Sequence, residues 1–197
     1  DAQLQIKNQE LQYLKKQIHP HFLFNTLNTI YGFALKQSKD TPEIILKLSN
    51  LLDYILYQVG KPKVSLKKEV YHIEEYIELE KIRFQDSLKV EFTSDEIPET
   101  VQIAPMVLIP FVENAFKHGS IIDGFLRIEI VIKFSDNTLV FSIKNTTLRD
   151  DAVQESKGIG LKNIKKRLAI LYPENHSLSI FEKKNRYNVT LKILDLK

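Results

Sequence analysis

Pro110-Phe111-Val112-Glu113-Asn114-Ala115-Phe116-Lys117-His118-Gly119 is the stretch around which the rest of this 197-residue chain is organised. As a helix it sets Asn114, Lys117 and His118 at i, i+3 and i+4, so an amide oxygen, an ammonium and an imidazole share one face. That trio suits a nucleotide's magnesium and phosphates, since an amide oxygen coordinates a hard cation and basic groups meet phosphate oxygens. The same residues also fit a solvated amphipathic face that Gly119 brings to an end. Glu113 points about 100° round the helix from Asn114.

Two further islands flank this one. Downstream, Gly158-Ile159-Gly160-Leu161-Lys162-Asn163-Ile164 opens a helix that runs through Leu171. Glycines before a helix let backbone N–H groups approach an anion at the positive end of the helix dipole. The Gly-Lys-Ser/Thr arrangement of a P-loop is absent. Lys162, Lys165, Lys166 and Arg167 read as a solvated basic face. Upstream lies Gln17-Ile18-His19-Pro20-His21-Phe22-Leu23-Phe24-Asn25-Thr26-Leu27-Asn28. A neutral imidazole there can be a metal ligand, a base, a phosphoryl acceptor or a plain surface histidine. Asn25 sits one turn after His21, where its amide can orient the ring. No third ligand has helical spacing to make a metal site of His19 and His21.

Periodicity places these islands on elements. Asp1 to Lys36 reads as a helix with Leu4, Leu11 and Ile18 seven apart, interrupted at Pro20, and with Leu23, Leu27, Ile30 and Ala34 as its later stripe. Thr41 as cap and Pro42 in the first turn begin a second helix bearing Ile44, Leu48, Leu51, Ile55 and Val59. The pair forms a hairpin whose several apolar faces suit a dimeric four-helix bundle. Gly60-Lys61-Pro62-Lys63 marks the boundary to a mixed part. There we expect a helix from Leu66 to Phe84 with Val70, Ile73 and Ile77 inward, a strand from Lys89 to Thr93, and a helix from Met106 to His118. Phe125 to Phe134 alternates, turns at Asp136-Asn137 and continues through Leu139, Phe141 and Ile143; Leu178 to Phe181 then pairs with Asn188 to Leu194. Antiparallel hairpins with helices between them describe an α/β sandwich with one helical face.

The bulk properties bound the function. A net charge of +3, from 28 Lys and Arg against 25 Asp and Glu, gives no nucleic-acid-sized basic surface. Zero cysteines exclude disulfides, thiol nucleophiles and Cys-ligated zinc. No apolar run approaches the ~18 residues of a membrane span, and with Asp at position 1 the chain reads as an excised soluble piece.

In order and separation, these islands resemble the cytoplasmic core of sensor histidine kinases of the LytS/YehU-like type, in which a Pro-His-Phe-Leu-Phe-Asn helical hairpin precedes a GHKL (Bergerat-fold) ATP-binding domain. The resemblance rests on the helix motif at Gln17 to Asn28, the segment Glu74 to Phe84, the Glu-Asn-Ala-x-Lys-His-Gly box at 113–119 and the glycine box at 158–164, and it spans essentially the whole chain. It implies an α+β protein, with residues 1–62 as dimerisation and phosphotransfer hairpin and 63–197 as a GHKL domain binding ATP and Mg²⁺. It further implies His21 as phosphoacceptor supported by Asn25, and Asn114 as the Mg²⁺ ligand. Lys117 and His118 become phosphate contacts, Gly158, Gly160 and Leu161 the loop over the triphosphate, and Asn163 the start of its helix. Thr146 to Lys157, a predominantly polar stretch, becomes a mobile lid.

The implied activity is autophosphorylation of His21 and phosphoryl transfer to an aspartate on a response regulator, of the LytTR type by resemblance, within a homodimer. The sensor and its membrane helices would precede Asp1. Three departures qualify this. Where many GHKL proteins carry an Asp-x-Gly box, this chain reads Ile143-Lys144-Asn145-Thr146-Thr147, so adenine would be met by the amide of Asn145. Phe22 replaces the acidic residue that often follows the phosphoacceptor. Pro110 stands where GHKL ATPases keep a water-activating carboxylate, which favours a kinase over a hydrolase. The alternative reading is a degenerate, non-catalytic GHKL kinase acting as a dimeric scaffold.

Overall fold

The computed structural model describes residues 20–54, 61–148 and 159–196, with the backbone alone for 20–22 and 159–160. The expected coiled coil through Leu4, Leu11 and Ile18, the positions of His19, Ile55, Val59 and Gly158, and most of the Thr146–Lys157 lid lie outside the described residues.

Helix α1, Pro20–Leu35, and helix α2, Thr41–Asp53, form the hairpin. Its turn is a Schellman motif: the Ser38 N–H donates to Phe33 O and the Gln37 N–H to Ala34 O, both at 3.0 Å. Gln37 occupies the left-handed position, with φ 51°. The expected cap at Thr41 is corrected. Thr41 is the first helical residue, Asp40 precedes it without a side-chain cap, and the Thr41 hydroxyl donates to Ser38 O at 2.9 Å. The inward face of α1 is also rotated from expectation. Leu23, Thr26, Ile30 and Phe33 face the core, while Leu27 and Ala34 are exposed.

Helix α3 runs from Leu66 to Phe84 as expected. Its inward stripe, Leu66, Val70, Ile73 and Ile77, also carries Glu69, Tyr76 and Glu80, all buried. Just before it, β1 (Val64–Ser65) pairs antiparallel with β3 (Gln102–Ile103), a small ribbon that alternation over such short segments did not reveal. A five-stranded sheet follows, in the order β2 (Leu88–Ser94), β4 (Leu126–Ser135), β5 (Thr138–Thr146), β7 (Arg186–Ile193), β6 (His176–Lys183).

One expectation about the sheet needs correction. β2 lies parallel to β4, with Val90 opposite Ile128, so the sheet is mixed rather than built only of antiparallel hairpins. The strand-helix-strand order from β2 through α4 (Ile109–His118) to β4 is the crossover that parallel pairing requires. β4–β5 and β6–β7 are the expected hairpins, and β5 pairs antiparallel with β7 to join them, a contact not expected from the sequence. Asp136 and Asn137, both at positive φ, turn β4 into β5, and Leu178 faces Leu191 across β6 and β7.

Alternation buries one face of the sheet, with Leu126, Ile128, Ile130 and Ile132 of β4, Leu139, Phe141 and Ile143 of β5, and Val189, Leu191 and Ile193 of β7. Helices cover that face: Phe111 of α4 lies against Phe141, ring centroids 5.9 Å apart, and Ile164 and Leu168 of α5 (Ile159–Leu171) join the same cluster. Ile44, Leu48, Leu51 and Tyr54 of the hairpin belong to it too. Hairpin and sandwich therefore share one buried core, with α3 between them.

Candidate functional site

Helix α4 begins at Ile109, three residues later than its sequence suggests, and the reason lies far along the chain. Met106 has φ 57°, outside the helical region. The N–H groups of Met106 and Leu108 donate to the carboxylate of Glu69, at 3.1 and 3.0 Å. A donor of the turn before the helix and the donor of its cap residue, Leu108, are thus satisfied by one side chain of α3. Pro110 in the first turn has no N–H to satisfy. From this start α4 runs ten residues, burying Phe111, Val112, Glu113, Ala115 and Phe116 and leaving Asn114 half-buried, with Lys117 and His118 exposed. The sequence-expected trio therefore lines the open face of the helix.

Helix α4 ends at Gly119, whose φ of −65° is open to any residue. What requires glycine is space: a Cβ there would lie 2.5 Å from Ala115 O and 2.5 Å from Leu126 Cδ1. The amide nitrogen of Asn145 lies 3.5 Å from the same point, so the structure brings Asn145 to the end of the Asn114 helix. Asn145 is buried and donates through Nδ2 to Thr146 O at 3.0 Å. The beginning of the expected lid is stitched to the same corner. The Ser120 N–H donates to Thr146 O at 2.8 Å, the Thr146 hydroxyl to Ser120 O at 2.7 Å, and the Leu148 N–H to the Ser120 hydroxyl at 3.1 Å.

Gly160, Leu161 and Asn163 occupy the first turns of α5, with Leu161 and Asn163 half-buried. The basic run on this helix is not uniform. Lys162, Lys165 and Lys166 are exposed, but Arg167 turns inward, donating from Nη1 to Met106 O at 2.7 Å and from Nη2 to Pro105 O. The solvated-face reading is thereby corrected for Arg167. Tyr172, just past α5, accepts from the Ala104 N–H at 2.7 Å. The segment 104–108 that launches α4 is gripped by α3 through Glu69 and by the glycine-box helix through Arg167.

Sequence reading missed Glu69 and Arg167. A signal existed for Glu69, since it lies on the apolar stripe of α3, where a charged residue at core spacing means a buried one. Burial raises its pKa, opposed by the donors Tyr54, Leu108 and Met106 and by Arg167. A pair of buried acids, Glu80 and Glu113, lies in the seam between α3 and α4. Burial lifts Glu80 to about 7, although it accepts from the Tyr76 hydroxyl at 2.9 Å and meets Arg83 at 2.7 Å. Burial, then the charge of Glu80, lifts Glu113 to about 8.

His21 lies in the first turn of α1, and Asn25 is half-buried one turn on, its carbonyl accepting from the Thr29 hydroxyl at 2.9 Å. Among the described residues no cluster of three His, Asp or Glu side chains could hold a metal alone. The half-buried Asn114 amide beside exposed Lys117 and His118 fits a magnesium whose remaining ligands are phosphate oxygens and water.

Residues 9–88 match the family model described as "Histidine kinase". Sensor protein kinase HptS of Staphylococcus aureus, strain USA300, is 30% identical over 194 residues, and the same figures hold for strain NCTC 8325. Both matches are to histidine kinases. The HptS match covers 92% of this chain and 37% of the relative, so the chain spans little over a third of the curated relatives it matches. Solved histidine kinase structures share the fold. The histidine kinase domain of the blue-light activated kinase EL346 from Erythrobacter litoralis aligns with TM-score 0.53 at 12% identity, covering 98% of this chain and 94% of that one. The catalytic domain of histidine kinase ThkA aligns with TM-score 0.50 at 16% identity, covering 68% and 95%. The sandwich is thus that of the GHKL domain, and the LytS/YehU-like resemblance is consistent with these matches. No helix among the described residues is long and apolar enough to cross a membrane.

Proposed function

We propose that this chain is the kinase core of a two-component sensor, binding Mg·ATP on the open face of α4 and phosphorylating its own His21. The observation that supports it most is the grouping of half-buried Asn114 with exposed Lys117 and His118 at the corner where Gly119 admits Asn145. The residues divide the work. The Asn114 amide oxygen is the metal ligand, and Lys117 and His118 meet phosphate oxygens. Backbone N–H groups at Gly158, Gly160 and Leu161 meet the triphosphate at the head of α5, where Asn163 sets the first turn. Asn145, with Nδ2 committed to Thr146 O, offers its carbonyl oxygen to the adenine amino group. Bound magnesium supplies charge neutralisation across the phosphate oxygens.

In the transfer, an imidazole nitrogen of His21 attacks the γ-phosphorus in line, the bond to the bridging oxygen breaks, and ADP leaves with that electron pair. The ring's proton passes to solvent, and Asn25 helps to hold the imidazole. Glu113 faces the α3 seam and Pro110 carries no carboxylate, so nothing on these two positions activates water for hydrolysis. Residues 1–62 then act as the phosphotransfer hairpin and 63–197 as the nucleotide domain, with movement about Gly60 to Lys63 bringing them together. The phosphoryl group passes on to an aspartate of a response regulator, of the LytTR type by resemblance. Phe24, Leu27, Tyr31 and Leu35 form an exposed apolar stripe on α1 that suits the second hairpin of a homodimer. A membrane sensor joined before Asp1 would bias that bundle.

Incubation with γ-labelled ATP tests the reading. Acid-labile, alkali-stable label in wild type and none in His21→Gln is the expected result; equal label in His21→Gln overturns the assignment. The degenerate-scaffold alternative predicts no calorimetric Mg·ATP binding and no effect of Asn114→Asp.

A further inference from the structure

Tyr54 follows directly on helix α2, and its hydroxyl donates to Glu69 Oε2, the same oxygen that receives the Met106 N–H. The other oxygen, Oε1, receives the Leu108 N–H. One carboxylate therefore joins three parts of the chain: the hairpin, α3 and the segment that launches the Asn114 helix. Arg167 closes the ring, because it holds the Pro105 and Met106 carbonyls from α5, whose first turns carry the glycine box. Tyr54 is 1% exposed and its ring stacks on His72 at 3.9 Å. His72 Nδ1 in turn lies 3.2 Å from Glu75 Oε2, and Asn50 of α2 donates to Glu75 Oε1 at 3.2 Å. The hairpin thus contacts α3 through polar groups of defined geometry, and the contact through Glu69 continues to the segment that launches α4.

We propose that Glu69 is a positioning residue for nucleotide binding, and that the Tyr54 hydroxyl makes its hold on segment 104–108 depend on how the hairpin is docked. The proposal rests on the reading of α4 as the nucleotide helix. A carboxylate with three donors has a fixed orientation. Removing the Tyr54 donor leaves Glu69 free to turn, and the two N–H groups that fix the non-helical Met106–Leu108 turn lose their common anchor. The start of α4, and with it Asn114, then shifts relative to the α5 glycine box. When the hairpin undocks, the same donor is withdrawn, so hairpin position is read at the phosphate site without any contact between His21 and Asn114.

The test uses the whole chain. Tyr54→Phe removes one oxygen and keeps the ring on His72; Glu69→Gln keeps the shape but places an amide donor against donors. Affinity for a non-hydrolysable Mg·ATP analogue, measured by calorimetry well below the melting temperature, should weaken roughly tenfold in Tyr54→Phe and at least as much in Glu69→Gln. Lys67→Ala, an exposed site, should bind as wild type does. Amide exchange at Met106 and Leu108 should quicken in Tyr54→Phe. A purely structural role lowers the melting temperature of Tyr54→Phe but leaves the affinity of the folded protein unchanged, and that outcome overturns the proposal. If wild type binds no nucleotide, the function reading fails separately; the joint then stands on faster exchange at Met106 and Leu108 in Tyr54→Phe and falls on unchanged exchange.

Discussion

Glu113 and Glu80, on neighbouring helices, are buried carboxyls that share the seam between α3 and α4, and the charge of Glu80 adds to burial in holding the proton on Glu113. Each lies next to the proposed nucleotide face without belonging to it, and together they make stability depend on pH.

Both groups have folded-state pKa values raised above the ordinary carboxylate value, to about 7 for Glu80 and about 8 for Glu113. The folded chain therefore binds more protons than the unfolded one between about pH 4.5 and 8. The stability contributed is complete below the unfolded value and is lost as pH rises through the folded values. Glu113→Gln keeps a neutral group of the same shape and removes one of the two titrations. Its stability relative to wild type should rise by on the order of 2 kcal/mol or more between pH 5 and pH 8.5, read from urea unfolding midpoints. A constant difference across that range would refute the placement of the proton.

Gly119 is held by space rather than by backbone conformation. Gly119→Ala should destabilise the chain by about 1–3 kcal/mol, because the added methyl meets the backbone oxygen of Ala115 as well as Leu126. The corner that carries Asn145 must open to relieve the clash, so Mg·nucleotide affinity should fall with stability. Chemical denaturation and calorimetry on one sample check both effects.

Gln37 shows the opposite case. It adopts φ 51° at the hairpin turn, where glycine has no Cβ penalty. Gln37→Gly should raise stability by about 1 kcal/mol, measured as an increase in the urea midpoint with the slope unchanged.

The stripe of Phe24, Leu27, Tyr31 and Leu35 supports the proposed dimer. Replacing Tyr31 with Glu, at 65% exposure in the single chain, should leave the fold intact and weaken self-association by on the order of tenfold or more in sedimentation equilibrium. Unchanged association would place the dimer contact on another surface.

Much of the sandwich was legible because its signals are local. Leu126, Ile128, Ile130 and Ile132 alternate over the strand that forms there, Asp136-Asn137 supplies the two positive-φ residues of the turn, and α3 keeps its apolar spacing from Leu66 to Phe84. Asn114, Lys117 and His118 share a face because helical geometry requires it once the helix exists. Less legible was the start of that helix. Met106 to Leu108 have helix-compatible side chains, and the carboxylate that takes their N–H groups lies 37 and 39 residues away in sequence.

By itself, the sequence determined most of the segments that become helix or strand, the turn between β4 and β5, and the order of three motifs that carries the resemblance to histidine kinases. Period, turn chemistry and residue spacing act over a few positions, so they survive being read in one dimension. Only the tertiary structure decided that β2 runs parallel to β4, that Arg167 leaves its basic face to hold the carbonyls of Pro105 and Met106, and that Glu69 serves Tyr54, Met106 and Leu108 at once. These depend on which distant groups reach one buried place together, where an unpaired donor or carboxylate is costly enough to select its partner.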